Sequence, residues 1–266
     1  MAAPDVRAVE DEAGTRETVA AVLRGCRLLG HFSASRPVIG LAELAAESRM
    51  NKPTVHRLMS TFVEAGWVSR DPAGAYRVRL DLFAIGAAAL SGFDLRTEAR
   101  PEMQALADAF GDTAYLMVPS AHGAVCIEKI DGGKPLVVAG IAVGTVLPFH
   151  AAAGPVAMLA FDDELRARAL ADGLPAFTPA TRTDPADLTR HLDAVRAAGV
   201  AQSHGDYLEG VSAVAAPLLG PGERVLGTLS LGGRSDDFAG AAGDERGQAV
   251  RAAADRLSAL LRSAPA

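Results

Sequence analysis

The stretch LAELAAESRMNKPTVHRLMSTFVEAGWVSRDPAGAYRVR, residues 41–79, decides the fold of the N-terminal part of the chain. Its apolar residues recur first at helical spacing and then at alternate positions, which predicts two short helices followed by a β-hairpin. Gly66 is predicted to end the second helix, and the hairpin turn is predicted at residues 71–74. This order of elements is typical of a winged helix-turn-helix.

The second of these helices has a polar and basic face. Val55 and Met59 belong to its apolar side, so the opposite side is left for contact with a partner. Hydroxyl, imidazole, ammonium and guanidinium groups suit phosphates and base edges. The DNA-binding candidates on this helix and the hairpin are Lys52, Thr54, His56, Arg57, Ser60, Thr61, Arg70 and Arg77.

The charge balance favours DNA binding by this N-terminal part. Residues 18–94 contain nine Lys or Arg and six Asp or Glu, whereas the whole chain carries 26 and 32. A basic module in an acidic chain fits a protein that touches nucleic acid locally. Two amphipathic helices and a hairpin also occur in domains that never bind DNA, so the pattern alone leaves that alternative open.

A helix after Thr18 is predicted to complete a three-helix core, with Thr18 as its N-cap. Its apolar positions are Val19, Val22, Leu23, Cys26 and Leu29. Because Cys26 falls on this apolar face and Cys126 in an apolar strand, both are expected to be buried free thiols.

The remaining two thirds of the chain predict a helical connector and a second α+β domain. Residues 81–110 form the connector, with Pro101 expected to break the helix near Arg100. Strands are predicted at 113–119, 123–130, 135–141, 199–203, 211–219 and 224–233, and helices at about 155–161, 162–171, 184–198 and 243–262. Strands linked as hairpins, with helices grouped at both ends, favour an antiparallel sheet over a parallel one.

Composition narrows the class of protein. The sequence has no apolar run of the roughly twenty residues that a membrane helix needs, and its first residues lack a secretion signal, so a cytoplasmic location is expected. It also lacks metal-binding spacings, a glycine-rich phosphate loop and a convincing nucleophile, so we expect no metal, no cofactor and no catalysis. An enzyme would have to use His150, His204 and Asp206 for acid–base chemistry.

Three motifs in the same order make the chain resemble the IclR (isocitrate lyase regulator) family of bacterial transcription factors. They are LAELAAESRMNKPTVHRLM at 41–59, VLPFHAAAGPVAMLA at 146–160, and GVAQSHGDYLEGVSAVAAPLL with GERVLGTLSLGG at 199–233. The resemblance covers about residues 18–261. It implies a winged helix-turn-helix, a GAF-like effector domain and assembly into homodimers or homotetramers.

The predicted domains are a disordered tail at 1–17, the winged helix-turn-helix at 18–80, the connector at 81–110 and the effector domain at 111–262. Two departures from the family's usual pattern affect the helix-turn-helix. Arg49 stands where Gly is usual, so either Arg49 adopts a left-handed conformation at some strain or the turn differs, and Pro53 replaces the usual Ser.

The resemblance also implies an effector cavity. Carried over position by position, it would be lined by Val138, Ile141, Ala153, Gly154, Ser203, Ala213, Ser230 and Gly232. These residues are mostly small, which leaves room for a ligand, and free N–H groups at the helix start near Gly154 favour an organic acid. Alternatively, small residues at these positions only permit close packing. In the same domain Asp206 stands at the family's usual Glu, and Ala152, Pro155 and Val156 replace the usual Thr, Gly and Lys.

These expectations combine into one functional hypothesis. The chain is expected to be a repressor or activator that binds a double-stranded DNA operator, and a small metabolite is expected to change its operator affinity. The alternative is a ligand-binding or oligomerisation module that does not control DNA binding.

Overall fold

The computed structural model describes residues 18–33, 36–90, 95–134 and 141–263. The chain divides into two compact units, one within Glu10–Asp94 and the other within Leu95–Ala266. The predicted tail at 1–17 and nearly all of the strand predicted at 135–141 lie outside the described residues. In the part of the chain that is described, no helix is both long enough and apolar enough to cross a membrane.

The N-terminal unit is a winged helix-turn-helix. Its elements are α1 (Ala20–Leu29), β1 (Val38–Ile39), α2 (Leu41–Glu47), α3 (Lys52–Glu64), β2 (Val68–Arg70), β3 (Tyr76–Val78) and α4 (Leu80–Leu90). The three strands form an antiparallel sheet in the order β1-β3-β2. Leu28, Leu44, Val55, Met59 and Tyr76 fill the core between this sheet and the first three helices, which confirms the apolar faces predicted for α2 and α3.

The turn between α2 and α3 is held by local interactions. Asn51 caps α3, because its Oδ1 accepts a hydrogen bond of 2.9 Å from the Thr54 N–H. Pro53 lies in the first turn of the helix, where no intrahelical N–H is needed. Arg49 has φ +54°, so of the two alternatives it is the left-handed conformation that is adopted. Gly66, with φ +78°, follows the end of α3.

The predicted packing of α1 was wrong in detail. Gly25 and Leu28 are its buried residues, and of the predicted apolar positions Leu29 packs against the core; a Cβ added to Gly25 would lie 2.8 Å from the Phe62 ring. Val19, rather than Thr18, precedes the helix as its N-cap residue. The apolar stripe of α1 is wider than this contact, so several of its members remain exposed: Val19, Val22, Leu23 and Cys26.

The C-terminal unit is built on one antiparallel sheet. Its strands are β4 (Thr113–Pro119), β5 (Ala124–Ile130), β6 (Val146–Leu147), β7 (Ala201–His204), β8 (Val211–Leu219) and β9 (Val225–Arg234), in the order β6-β5-β4-β9-β8-β7. Its helices are α5 (Leu95–Phe110), α6 (Ala153–Phe161), α7 (Asp163–Ala171), α8 (Pro185–Ala198) and α9 (Ala241–Ser263). The expected α+β class and antiparallel pairing are therefore confirmed.

The sheet lies between two layers of helices. α6 packs on one face together with α8, and α5 and α9 pack on the other. The helix break expected near Arg100 was wrong, because α5 continues through Pro101. Pro101 is on the exposed side of α5, so water can hydrate the carbonyl that loses its partner, while Ala99 and Met103 stay packed on the buried side.

Candidate DNA-binding face and ligand cavity

The DNA-binding candidates on α3 lie on one side of the N-terminal unit. Lys52, His56, Arg57, Ser60 and Thr61 are exposed, and Thr54 is half-buried. On the other side of α3, Val55 and Met59 are fully buried, so the helix cannot turn its polar face inward without losing its core contacts. α3 therefore presents hydroxyl and basic groups to solvent over three turns.

The two hairpin candidates differ in how firmly they are held. The guanidinium of Arg70 lies 5.7 Å from the centre of the Tyr76 ring, and its Nε donates a hydrogen bond of 3.4 Å to the Gly74 carbonyl. Arg77 is exposed on β3. Within the described residues neither Arg77 nor Arg57 forms an ion pair, so both guanidinium groups are available to an anionic partner.

The register of the C-terminal sheet brings small and polar residues together on one face. Ser203 pairs with Ala213, which pairs with Gly232. In the next row, Ser230 pairs with Tyr115 of β4. Because paired residues of neighbouring strands point to the same side of a sheet, these residues form a continuous surface beneath α6.

A cavity lies between this surface and the start of α6. The centre of a water molecule can move through about 40 Å³ of it, and the space that protein atoms do not fill is about 450 Å³ when the adjoining open solvent is included. Its lining residues are Tyr115, Met117, Ile141, Leu147, Ala152, Ala153, Gly154, Ser203, Asp206, Tyr207, Leu208, Val211, Ala213, Ser230 and Gly232. The structure thus brings together all the described effector candidates, from Ile141 to Gly232, while Val138 lies outside the described residues.

Comparison with known proteins assigns the chain to a family. The model of the C-terminal domain of IclR-type bacterial transcriptional regulators matches residues 87–259, and the model of the IclR helix-turn-helix domain matches residues 21–72. The chain belongs to the IclR family. It is therefore a DNA-binding transcription regulator with an effector-binding C-terminal domain, and the predicted family is confirmed.

Individual members of the IclR family are similar along most of the chain. The HTH-type transcriptional regulator KipR of Bacillus subtilis (strain 168) is 28% identical over 214 residues, which cover 80% of this chain and 85% of KipR. The solved structure of a candidate IclR regulator from Silicibacter sp. TM1040 has a TM-score of 0.79 and 30% identity, covering 92% of this chain and 98% of that one. An IclR homologue from Microbacterium hydrocarbonoxydans, solved in complex with 4-hydroxybenzoate, shares the fold with a TM-score of 0.74 and 23% identity, covering 92% and 100% of the two chains.

The start of α6 is where this IclR-family chain departs from the usual pattern. Ala152 has φ +66° and ψ 148°, a conformation that L residues rarely adopt. Its N–H donates a hydrogen bond of 3.3 Å to Asp206 Oδ1, and the Val156 N–H returns to the Ala152 carbonyl. The N–H groups of Ala153 and Gly154 make no hydrogen bond to a described residue, so two donors remain at the cavity wall.

Several lining residues were not predicted from the sequence. Tyr115 and Met117 alternate on β4, so they share the face that carries Ser230. That alternation could have identified them once the pairing of β4 with β9 was known. Tyr207 and Leu208 belong to the loop between β7 and β8, and their place in the lining depends on tertiary packing that leaves no pattern in the sequence.

The hydroxyl groups of the cavity are poorly satisfied. Tyr115 is 2% exposed, and its hydroxyl lies near Thr113 but makes no hydrogen bond of good geometry in the described part of the chain; burial raises its pKa. Ser230 Oγ lies 3.5 Å from the Tyr115 carbonyl, a weak contact at best. Ser203 is 5% exposed and makes no side-chain hydrogen bond to a described residue. Buried hydroxyls in this state call for a ligand or water.

The three residues considered for acid–base chemistry make their hydrogen bonds to different partners, and His150 lies close enough to Asp206 to interact with its charge. His150 Nε2 is 2.9 Å from the Pro175 carbonyl, and burial lowers the pKa of this histidine, which keeps it neutral near pH 7. His204 is exposed and contacts Ser212, while Asp206 contacts Ala152. Among residues 18–33, 36–90, 95–134 and 141–263, no cluster of three or more His, Cys, Asp or Glu could hold a metal ion.

Proposed function

We propose that α3 and the β2–β3 hairpin contact the operator, that the cavity beneath α6 binds the effector, and that its occupancy changes operator affinity. The observation that carries this proposal is the convergence of the described effector candidates, from three strands, one helix and the segment before β6, on a single cavity. Close packing alone would leave no open space at those positions. A cytoplasmic location is part of the proposal, because the partner is double-stranded DNA.

The DNA contacts divide between two roles. Lys52, Thr54, His56, Arg57, Ser60 and Thr61 lie along α3, the helix that enters the major groove in helix-turn-helix proteins. Arg70 and Arg77 lie on the hairpin, where guanidinium groups suit the phosphate backbone. α3 would thus supply base recognition and the hairpin would supply affinity that is independent of sequence.

A second copy of the chain is the proposed partner of the apolar surface on the N-terminal unit. On α1, Val19 and Val22 are 66% and 60% exposed. On α4, Leu80 and Phe83 are 84% and 68% exposed. Large apolar side chains in this state are typical of protein interfaces. A two-fold dimer would cover them and would place two copies of α3 about one DNA turn, or a multiple, apart.

An organic acid remains the ligand class proposed from the sequence. The free N–H groups of Ala153 and Gly154 support it, because helix starts bind anions. The Microbacterium hydrocarbonoxydans homologue, which has this fold, was solved with the aromatic acid 4-hydroxybenzoate. No catalytic role is proposed for His150 or Asp206, since the family consists of transcription regulators.

The cavity is tested by filling it. A panel of organic acids and aromatic metabolites is first screened for compounds that raise the midpoint of thermal unfolding of the wild type. Ser230→Leu places a larger side chain on the cavity surface, so these compounds should not raise the midpoint of the variant. Overpacking itself can cost about 1–3 kcal/mol, so the fold of the variant is checked by circular dichroism. Ser263→Leu, at an exposed position near the end of α9, is the matched control. A folded Ser230→Leu protein that keeps the full response would place the effector elsewhere.

A further inference from the structure

The charge of the cavity points to a narrower class of effector. Among the described lining residues, Asp206 is the only acidic one, and the lining contains no Lys, Arg or His. The described lining therefore offers a ligand one carboxylate and no cationic side chain.

Asp206 is fixed in place but only partly satisfied. It is 3% exposed, and its Oδ1 accepts the hydrogen bond of 3.3 Å from the Ala152 N–H. Its backbone carbonyl accepts a hydrogen bond of 2.5 Å from Thr181 Oγ1, and the carbonyl of the preceding Gly205 accepts one of 2.7 Å from Thr178 Oγ1. Its Oδ2 accepts no hydrogen bond from a described residue, so one carboxylate oxygen in the cavity wall is left for a donor.

A ligand carboxylate at this position would meet two obstacles. It would lose its hydration on entering a mostly apolar site, where the N–H groups of Ala153 and Gly154 can bind it but no basic side chain in the described lining adds a compensating charge. It would also be repelled by Asp206, because two carboxylates that share a buried site cannot both stay charged without cost. A hydroxyl or ammonium group meets neither obstacle, since it can donate to Oδ2.

We propose that the effector of this chain binds through a hydrogen-bond donor, a hydroxyl or ammonium group, at Asp206. Its remaining polar atoms bind the hydroxyls of Ser203 and Tyr115, and its carbon skeleton packs against Met117 and Leu147. An organic acid fits this cavity when it also carries such a donor, and a simple carboxylic acid does not. This inference rests on the proposed effector function and specifies the ligand of that same site.

Matched compounds test the donor requirement. The aromatic set is benzoate, 4-hydroxybenzoate, benzyl alcohol and benzylamine, and the aliphatic set is butyrate, 3-hydroxybutyrate, butane-1,3-diol and butylamine. Their affinities for the full chain are measured by thermal shift and calorimetry at millimolar concentrations. We expect binding by hydroxylated or amine members and none by benzoate or butyrate.

Asp206→Asn isolates the carboxylate, because the Asn oxygen can still accept from the Ala152 N–H. In this variant we expect the hydroxyl and amine compounds to bind about tenfold more weakly, as for a lost hydrogen bond to a charged group, and simple carboxylates to bind more tightly than in the wild type. Glu209→Gln makes the same change of charge at an exposed position of the same loop and should leave all affinities unchanged.

Two results would overturn the inference. In the first, benzoate or butyrate binds as tightly as its hydroxylated counterpart, and Ser230→Leu abolishes this binding. The effector function would then stand, but the ligand would not need a hydrogen-bond donor. The second is the absence of any shift with the hydroxyl and amine compounds. The effector function itself fails only if a wider metabolite screen also gives no shift that depends on Ser230.

Discussion

Arg57→Ala tests base recognition by α3. Arg57 is exposed on α3, opposite the buried Val55 and Met59, and forms no ion pair within the described residues. Its backbone carbonyl accepts a hydrogen bond of 3.1 Å from Thr61 Oγ1, which the substitution leaves intact. The folded protein therefore loses no side-chain partner among the described residues, and its free energy of unfolding should change by less than about 0.5 kcal/mol.

The effect on DNA is expected to be much larger. Loss of an arginine contact with a base edge costs about 1–3 kcal/mol, or about 5- to 150-fold in affinity, at each half-site, and a two-fold dimer loses it twice. Arg77→Ala, by contrast, removes a phosphate contact. It should weaken binding to all duplexes alike and reduce the slope of log K against log salt by about one unit per subunit.

Fluorescence anisotropy distinguishes these outcomes. The full chain first selects a duplex from a random library, and this duplex and a scrambled one are then titrated at several salt concentrations. Arg190→Ala removes the same charge at a residue of α8 that is not among the proposed DNA contacts, and it is the control. An equal loss on both duplexes would make Arg57 a phosphate contact. Unchanged affinity in both Arg57→Ala and Arg77→Ala would refute DNA contact by this surface.

Three further predictions follow from local structure. Arg49→Gly should stabilise the N-terminal unit by up to about 1 kcal/mol in chemical denaturation, because glycine adopts φ +54° without strain, whereas Arg49→Ala should not. Burial raises the pKa of Cys126 to about 12, whereas Cys26 is exposed. A thiol reagent at pH 8 should therefore modify Cys26 in the folded chain and Cys126 only after unfolding. Two rapidly reacting thiols in the folded chain would contradict this prediction. Burial lowers the pKa of His150 and His191 below 6.5, so these side chains take up protons in the unfolded chain before they do so in the folded chain. The free energy of unfolding should therefore fall as the pH drops below about 6.5. Replacing both histidines by Gln should make that fall smaller when unfolding is measured as a function of pH.

The sequence was most informative where one periodicity ran through a whole element. The apolar spacing of α3 predicted its buried Val55 and Met59, and strand-type apolar segments predicted β4 and β8. Residues that converge on the cavity were reached through a family resemblance, because pairing between distant strands cannot be read from a single segment. The short strands β1 and β6 were missed, since two residues carry no detectable period.

Tertiary context explains the errors. The spacing of α1 identified a helix, but it could not show that Gly25 and Leu28 are buried while Val22 and Cys26 stay exposed. Pro101 signals a helix break in isolation, whereas packing of the opposite side of α5 against the sheet keeps the helix continuous. The place of Asp206 beside the start of α6 depends on a loop that is distant in sequence.

The central claim is that occupancy of the cavity changes operator affinity. The compound for the most direct test is the one that gives the largest thermal shift with the wild type and none with Ser230→Leu. The operator affinity of the full chain is then measured with and without a saturating amount of this compound. We predict a coupling of about 1–3 kcal/mol, or about 5- to 150-fold, and the operator must change the affinity for that compound by the same factor. Equal operator affinities in the two titrations would contradict the account and leave a DNA-binding protein that binds a ligand without being controlled by it.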